Sequence, residues 1–288
     1  MSTIDPVQRR AERAAARQGS PGGILRHVVL QTLQFVAAVV FGMGLVVMAD
    51  LSRVTELNSV FGTWDSRLEG MIWAFPVGLM GMISLGIAVA FSAGRITGRP
   101  MSFPVVGPAT VVLVGIALGF TLLAPGMTPP DQVGVRLDPS FGDSEAWGPA
   151  EWIWYRLDVW GPALLWVLAA AAAALGITAR LRRRARRDLL ADLVATGALV
   201  PGEVTEAPMP SPEAANTIAR ITVRYSDQLG TVRWVEPTIA VRTRDLPAAG
   251  ATVAVVYDRN APGDVQRIFV GPADARTADD FRRWNVTV

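Results

Sequence analysis

Residues 160–177 read WGPALLWVLAAAAAALGI, and the chain continues TARLRRRARRDLL through residues 178–190. The first stretch carries no ionisable side chain, and six arginines follow it within residues 178–187. A helix rises about 1.5 Å per residue, so a hydrocarbon core of about 30 Å takes about 20 apolar residues. The first stretch therefore has the makings of a membrane span. The second carries the positive charge that marks the cytoplasmic end of one.

Toward the N-terminus, three more runs have the same character: residues 28–48, 71–91 and 103–123. None contains an acidic or basic side chain. Across the chain, 51% of residues are hydrophobic and 18% charged. A soluble domain carries about 25% charged residues. The mean hydropathy is +0.33. Four charge-free runs buried in a soluble protein would need a larger amphipathic shell than this chain supplies. Val47-Met48-Ala49 resembles a signal-peptide cleavage site, but the run before it exceeds an h-region of about 7–15 residues and follows a long polar tail. We read it as an anchor.

Arginine placement orients the spans, and the chain has no lysine. Arg9, Arg10, Arg13, Arg17 and Arg26 precede the first span, Arg95 and Arg99 lie between the second and third, and Arg180 to Arg187 follow the fourth. The other two loops lean acidic. The first holds Asp50, Glu56, Asp65 and Glu69 against Arg53 and Arg67. The longer holds Asp131, Asp138, Asp143, Glu145, Glu151 and Asp158 against Arg136 and Arg156. Basic loops stay inside, so both termini are expected in the cytoplasm of a bacterial plasma membrane. Trp64, Trp73, Trp147, Trp152, Trp154 and Trp160 then fall at the outer interface, where indole is at home. Residues 151–155 read as an interfacial belt, with a carbohydrate-binding platform as the sharper alternative.

Small residues at four-residue spacing let helix backbones approach closely. Gly115 and Gly119 form such a pair in the third span; Gly86, Ala90 and Gly94 form a series in the second. They are expected to pack helices within the chain, with homo-oligomer contacts as the alternative. No charged side chain lies within a run, and ion-coupled transporters generally need one there. The absence of cysteine removes disulfides, thiolate metal sites and cysteine nucleophiles. The single histidine, His27, sits where the arginine-rich tail meets the first run, a poor place for a triad or metal site. Asp138, Asp143 and Glu145 read as an exposed acidic loop rather than a calcium site. No metal, cofactor or nucleic-acid partner is expected.

After the fourth span, helical periodicity continues to Ala195, with Gly197 as a stop. Arg180, Arg182, Arg183, Arg184, Arg186 and Arg187 on this segment are candidate contacts for anionic lipid, worth about 1 kcal/mol each. From Ala198 the period becomes two. Ile221, Val223 and Tyr225 alternate with Arg220, Thr222 and Arg224, as on a half-buried strand. Asp227-Gln228-Leu229-Gly230 reads as a hairpin turn returning through residues 231–235. Further strands read at residues 200–206, 239–243, 252–257 and 266–270. Short strands at close spacing without intervening helices predict a small all-β barrel or sandwich. The expected layout is a basic tail over residues 1–27, four transmembrane helices within residues 28–178, and a basic helical junction over residues 179–197. A cytoplasmic β domain over residues 198–271 and a tail over residues 272–288 complete it.

Three segments of this β region carry a resemblance. They are Gly202-Glu203-Val204; Val223-Arg224-Tyr225-Ser226-Asp227 with Gly230; and Gly250 with Val253, Val255, Tyr257-Asp258 and Pro262. Together they resemble a family of bacterial membrane proteins with a C-terminal β domain of unknown function. Arg259 departs from that pattern, where a proline is usual. The resemblance implies a few membrane helices beside a small β domain, and implies no activity. A more distant likeness is to membrane proteins whose soluble OB-type barrel partners stomatin-like scaffolds.

No phosphate loop, metal-ligand spacing or nucleophile–base pair appears. The leading expectation is a non-enzymatic membrane protein presenting a cytoplasmic β module to another membrane or cytoplasmic protein. The alternatives are a subunit of a transport or channel assembly, and a membrane enzyme or binder working at the outer aromatic loop.

Overall fold

The computed structural model describes residues 20–58, 65–97, 107–138, 142–209 and 216–285. Arg9, Arg10, Arg13, Arg17, Trp64 and Arg99 lie outside the described residues. The chain divides into two compact units, Met1–Ile177 and Thr178–Val288.

In the first unit, helix α1 spans Pro21–Leu57. Ser20 caps it, its Oγ accepting from the Gly23 N–H at 3.3 Å. Proline at the first helical position lacks only an N–H that would be unpaired there anyway. Helix α2 spans Ala74–Thr97 and α3 spans Pro108–Leu123. A short hairpin follows, β1 (Val135–Leu137) with β2 (Ser144–Ala146), then helix α4 (Pro149–Tyr155) and the first half of helix α5 (Leu157–Thr196), whose residues from Thr178 on belong to the second unit. Helices α1, α2, α3 and α5 are each part of a segment long and apolar enough to cross a membrane.

Helix α1 is the hub against which α2 and α3 pack, and glycine sets the spacing. A Cβ on Gly42 would collide with the backbone at Ile116, one on Gly44 with Phe75, one on Gly78 with Phe41, and one on Gly119 with Val39. For helices that cross a membrane, such backbone approach is a main source of packing energy. Helix α5 behaves differently. Only 6% of its apolar window is buried, against 33% for α1. Val167 is 65% and Leu175 72% exposed. An apolar surface this continuous suits lipid and not water.

One expectation about the helices is corrected. Helix α1 continues past the 28–48 run, so Asp50, Arg53 and Glu56 are helical and not loop residues. The continuation read past the fourth span is borne out: that span and the basic junction form one unbroken helix of 40 residues, Leu157–Thr196.

The second unit contains strands β3 (Ala198–Glu206), β4 (Asn216–Arg220), β5 (Thr222–Ser226), β6 (Val232–Val235), β7 (Thr238–Arg242), β8 (Thr252–Tyr257) and β9 (Ile268–Pro272), then helix α6 (Ala278–Trp284). Five strands form one antiparallel sheet in the order β6-β5-β3-β8-β9, while β4 and β7 form a separate ribbon. Val204 sits opposite Val223, Val200 opposite Val255, and Val255 opposite Val270. The strand read through residues 220–225 is in fact two. Ile221 is the buried corner between them, where the chain leaves the ribbon for the sheet.

The closed barrel expected as one option does not form. Both faces of the sheet are used instead. Val204, Val223, Tyr225, Val253, Val255 and Tyr257 share one core with Ile221, Ile239 and Val241 of the corner and ribbon. On the opposite face, Ala254, Val256 and Phe269 pack with Leu190 and Leu193 from the end of α5 and Phe281 from α6. This explains the unbroken apolar run of β8, whose alternate residues serve different cores. It also makes the last turns of the basic helix and the C-terminal segment parts of the β unit's core.

Candidate functional site

Part of the set that carries the sequence resemblance, Tyr225, Asp227, Gly230, Tyr257, Asp258 and Pro262, meets at one end of the β sheet, while the Gly250 N–H bonds the Val204 carbonyl at the other. Register brings Tyr225 beside Gly202 on the neighbouring strand, and Gly202 leaves room because a Cβ there would lie 2.8 Å from Val255 and 2.9 Å from Val223. The Tyr225 and Tyr257 rings lie 5.5 Å apart. The Tyr225 hydroxyl donates to the Pro262 carbonyl at 2.9 Å, and the Tyr257 hydroxyl accepts from the Gln228 N–H at 2.8 Å. The two tyrosines thus pin the 227–230 turn and the 258–264 turn to the sheet. Burial pushes the Tyr225 phenol above its ordinary value.

Aspartates close both turns from inside. Asp227 accepts from the Leu229 and Thr231 N–H groups and from Arg233 Nε, each at 2.9 Å. Gly230 completes that turn at φ +80, a conformation glycine takes without strain. The Arg233 hydrogen bond, then the Thr231 and Leu229 N–H groups, hold the Asp227 carboxyl below its usual value. Asp258 is lowered likewise, first by the Asn260 N–H and then by Arg267 at 2.6 Å. These groups are consumed in local structure, so the motif reads as a lock and not as an acid–base pair.

Beside the lock lies the open edge of the sheet. Among the described residues, strand β6 pairs with β5 on one side only. A cavity of ≈ 230 Å³ opens there, lined by Tyr225, Arg233, Trp234, Pro262, Gly263, Val265 and Ile268. Trp234 is 59% and Leu229 86% exposed, with Val232 and Val265 also exposed. The other edge is different. Asn285 Nδ2 donates to the Val270 carbonyl of β9 at 3.0 Å, and Phe281 packs so tightly on β9 that a Cβ on Gly271 would lie 2.9 Å from its ring. A capping box at Thr277 and Asp280 starts α6 and holds that cover in place.

A second cluster sits on the first unit, where α1 ends. Asp50 is fully buried. It accepts from Ser66 Oγ at 2.6 Å, from the Thr128 N–H at 2.9 Å and from Thr128 Oγ1 at 2.7 Å. Arg53, one turn on, lies 3.5 Å from it and donates to the carbonyls of Thr128, Trp154 and Tyr155. Trp147, Trp152 and Tyr155 pack on one another, with centroids 5.3–5.7 Å apart, and the Trp147 N–H donates to the Leu57 carbonyl. Trp147 is buried in this cluster, while Trp152 stays 45% exposed. Arg136 bridges to Glu151 at 3.1 Å and Glu56 at 4.0 Å. Among the described residues, no group of three or more acidic or histidine side chains is placed to hold a metal.

No family model matches the chain, and no curated protein or solved structure matches it either.

The residues singled out from sequence fall in varied places. Gly115 and Gly119 face α1, a Cβ on Gly115 lying 2.7 Å from Ala38. Gly86 faces Gln34 at 3.1 Å, while Ala90 of the same series is exposed. Gly78, outside that series, makes the tighter contact. Arg180, Arg182, Arg183, Arg184 and Arg187 are exposed on α5. Arg186 is drawn instead to the β unit, its guanidinium 6.0 Å from the Phe269 centroid. Sequence reasoning missed the pairing of Asp50 with Arg53 and the open edge at Trp234. An i, i+3 charge pair directly after an apolar run was a signal for the first; a tryptophan in a short polar strand was a signal for the second.

Proposed function

We propose that this chain is a non-enzymatic integral membrane protein of the bacterial plasma membrane, with both termini in the cytoplasm. Its β unit presents strand β6 to an extended segment of another membrane or cytoplasmic protein, which adds to the sheet as a further strand. The observation that carries the reading is the contrast between the sheet's two edges. Exposed edges are normally blunted by charge, bulges or covering elements. β9 is covered. On β6 the one charge, Arg233, is tied to Asp227, which leaves Val232 and Trp234 facing outward. Strand addition draws affinity from main-chain hydrogen bonds and specificity from pockets for alternate side chains. The small cavity beside Trp234 supplies one such pocket.

The test is co-purification of the full-length protein from native membranes. Val232→Lys and Trp234→Lys restore the charge that blunts an edge; Ile218→Lys makes the same change on the exposed ribbon. A near-stoichiometric partner present with wild type and Ile218→Lys, and lost with both edge variants, supports the reading. The same protein list from all four forms removes it.

A further inference from the structure

We infer that one face of α5, just past its apolar run, docks on anionic phospholipid headgroups. The inference rests on the reading above that this helix crosses a membrane and ends in the cytoplasm. Six arginines follow Ile177 within residues 178–187, and the structure divides them by helix face. Arg186, Leu190 and Leu193 recur at the spacing of one face. The β unit covers that face: Arg186 lies over the Phe269 ring, and Leu190 and Leu193 are buried with Phe269 and Phe281. Arg182 begins the same row one turn earlier. Arg180, Arg183, Arg184 and Arg187 recur at i, i+3, i+4 and i+7 and form a different face. All four are exposed.

This face carries charge that the chain does not answer. On the β unit, Arg220, Arg224, Arg233, Arg267 and Arg282 each meet a carboxylate within 2.9 Å. Arg183, Arg184 and Arg187 make no ion pair among the described residues, not even with Asp188, four residues after Arg184. An acid on the C-terminal side of its base is the weaker order on a helix. Beside the arginines lies apolar surface. Ile177 and Leu181 precede Arg184 by seven and three residues, on its side of the helix, and each is 60% exposed.

Position selects the occupant. The charge-free run ends at Ile177. Along the helix, Arg180 lies about 5 Å beyond it, Arg183 and Arg184 about 10 Å, and Arg187 about 15 Å. The headgroup layer is about 5–7 Å deep on each side of the hydrocarbon core, and an arginine reaches back along its apolar stem. Arg180, Arg183 and Arg184 therefore serve headgroup depth, and Arg187 lies farther out by roughly one screening length of about 8 Å. A free anion would answer the arginines and leave Ile177 and Leu181 bare. An acidic protein would have to displace the headgroups already at that depth. A phospholipid answers both surfaces, with its phosphate on the arginines and its acyl chain along Ile177 and Leu181.

Native mass spectrometry of the full-length protein, titrated with phosphatidylglycerol or phosphatidylcholine of the same acyl chains, tests this. Wild type is expected to prefer phosphatidylglycerol. Arg183→Gln and Arg184→Gln should each weaken a phosphatidylglycerol step about fivefold, the worth of one cation near the surface. Arg187→Gln, farther out, should weaken it about twofold. Arg220→Gln, which removes an exposed arginine that already meets Glu236, should leave it unchanged. Arg183→Lys with Arg184→Lys keeps the charge and should keep the step, which separates lost binding from a lost fold. Equal wild-type binding of the two lipids, wild-type binding by Arg183→Gln with Arg184→Gln, or loss of the step with the lysine pair overturns the inference. An equal loss with Arg220→Gln would make the effect one of net charge and overturns it too. Displacement of the lipid by millimolar inorganic phosphate would mark a free-anion site and overturns the lipid assignment. Alkaline carbonate extraction is done first. Protein released there sinks the membrane reading and the lipid face with it; protein retained without lipid selectivity sinks the face alone.

Discussion

Asp50 in the helical unit and Asp227 in the β unit do similar work in opposite surroundings. Each gathers a turn around a carboxylate, accepts from backbone N–H (one for Asp50, two for Asp227) and faces an arginine. Asp50 and Arg53 are both almost wholly removed from solvent, at 0% and 5% side-chain exposure. Arg233 beside Asp227 keeps 30%. Asp50 also reaches across the chain, joining the end of α1 to Ser66 and Thr128. Asp227 bonds only within six residues of itself. A buried ion pair is expensive to create, and breaking it leaves one charge stranded; a half-exposed pair is screened and cheap to lose. The first should therefore act as a keystone for the loops of its unit, and the second as a local turn clamp.

The sharpest break in this comparison is Asp50→Ala. It strands Arg53 among carbonyls and removes the acceptor for three protein donors. A loss of about 3–5 kcal/mol is expected, read as a large fall in the melting temperature of the full-length protein in detergent. Adding Arg53→Met should recover part of that loss, because the stranded charge goes with it. A double variant no more stable than Asp50→Ala would show that the carboxylate acts through Ser66 and Thr128 alone.

A middle-sized effect tests the β lock apart from its charges. Tyr257→Phe keeps the ring and its 5.5 Å neighbour Tyr225 but removes the acceptor of the Gln228 N–H. The expected cost is about 1–2 kcal/mol, that of one unpaired, part-buried donor. Denaturant melts of the full-length protein in micelles measure it. No change would mean that water replaces the hydroxyl and that the turn is held by Asp227 by itself.

The helical unit was largely legible because a long charge-free run, the pattern a membrane span requires, can be read directly from the residues. Its ends were not legible. Asp50 and Arg53 look like loop residues by charge, yet they are neutralised by contacts with residues 66, 128, 154 and 155, far along the chain. The β strands were legible by alternation where one face is buried, as at Val223 and Tyr225. The topology was not. Nothing local distinguishes Ile221 as a corner from Ile221 as a strand interior, since both bury it. Nor does β8 announce which helix covers its second face. Leu190 and Leu193 read equally well as the end of an amphipathic helix. Tyr225, Tyr257, Asp227 and Pro262 were visible as a set, but only their convergence reveals a lock. The open edge at Trp234 depends on strand order, which the alternation of β6 does not encode.

The smallest expected effect tests the Asp227 clamp by pH. The Asp227 carboxyl is held below its ordinary 3.8, first by the Arg233 hydrogen bond. A folded pKa below the unfolded one means that the stabilisation is fully present above the unfolded value. It is then lost as the pH falls through the folded value. Melting curves of the full-length protein should therefore be flat in the β unit above about pH 4 and fall below it. Asp227→Asn should shallow that fall without removing it, because Asp258 and Asp280 are lowered in the same direction, by the Asn260 N–H and the Thr277 hydroxyl first. The variant keeps one acceptor oxygen for the Leu229 and Thr231 N–H groups, so the turn should survive at neutral pH. An acid limb identical to wild type would show that the Arg233 contact is already open in solution. The clamp would then be the backbone turn itself, and Arg233 would be released to act as an edge charge on β6.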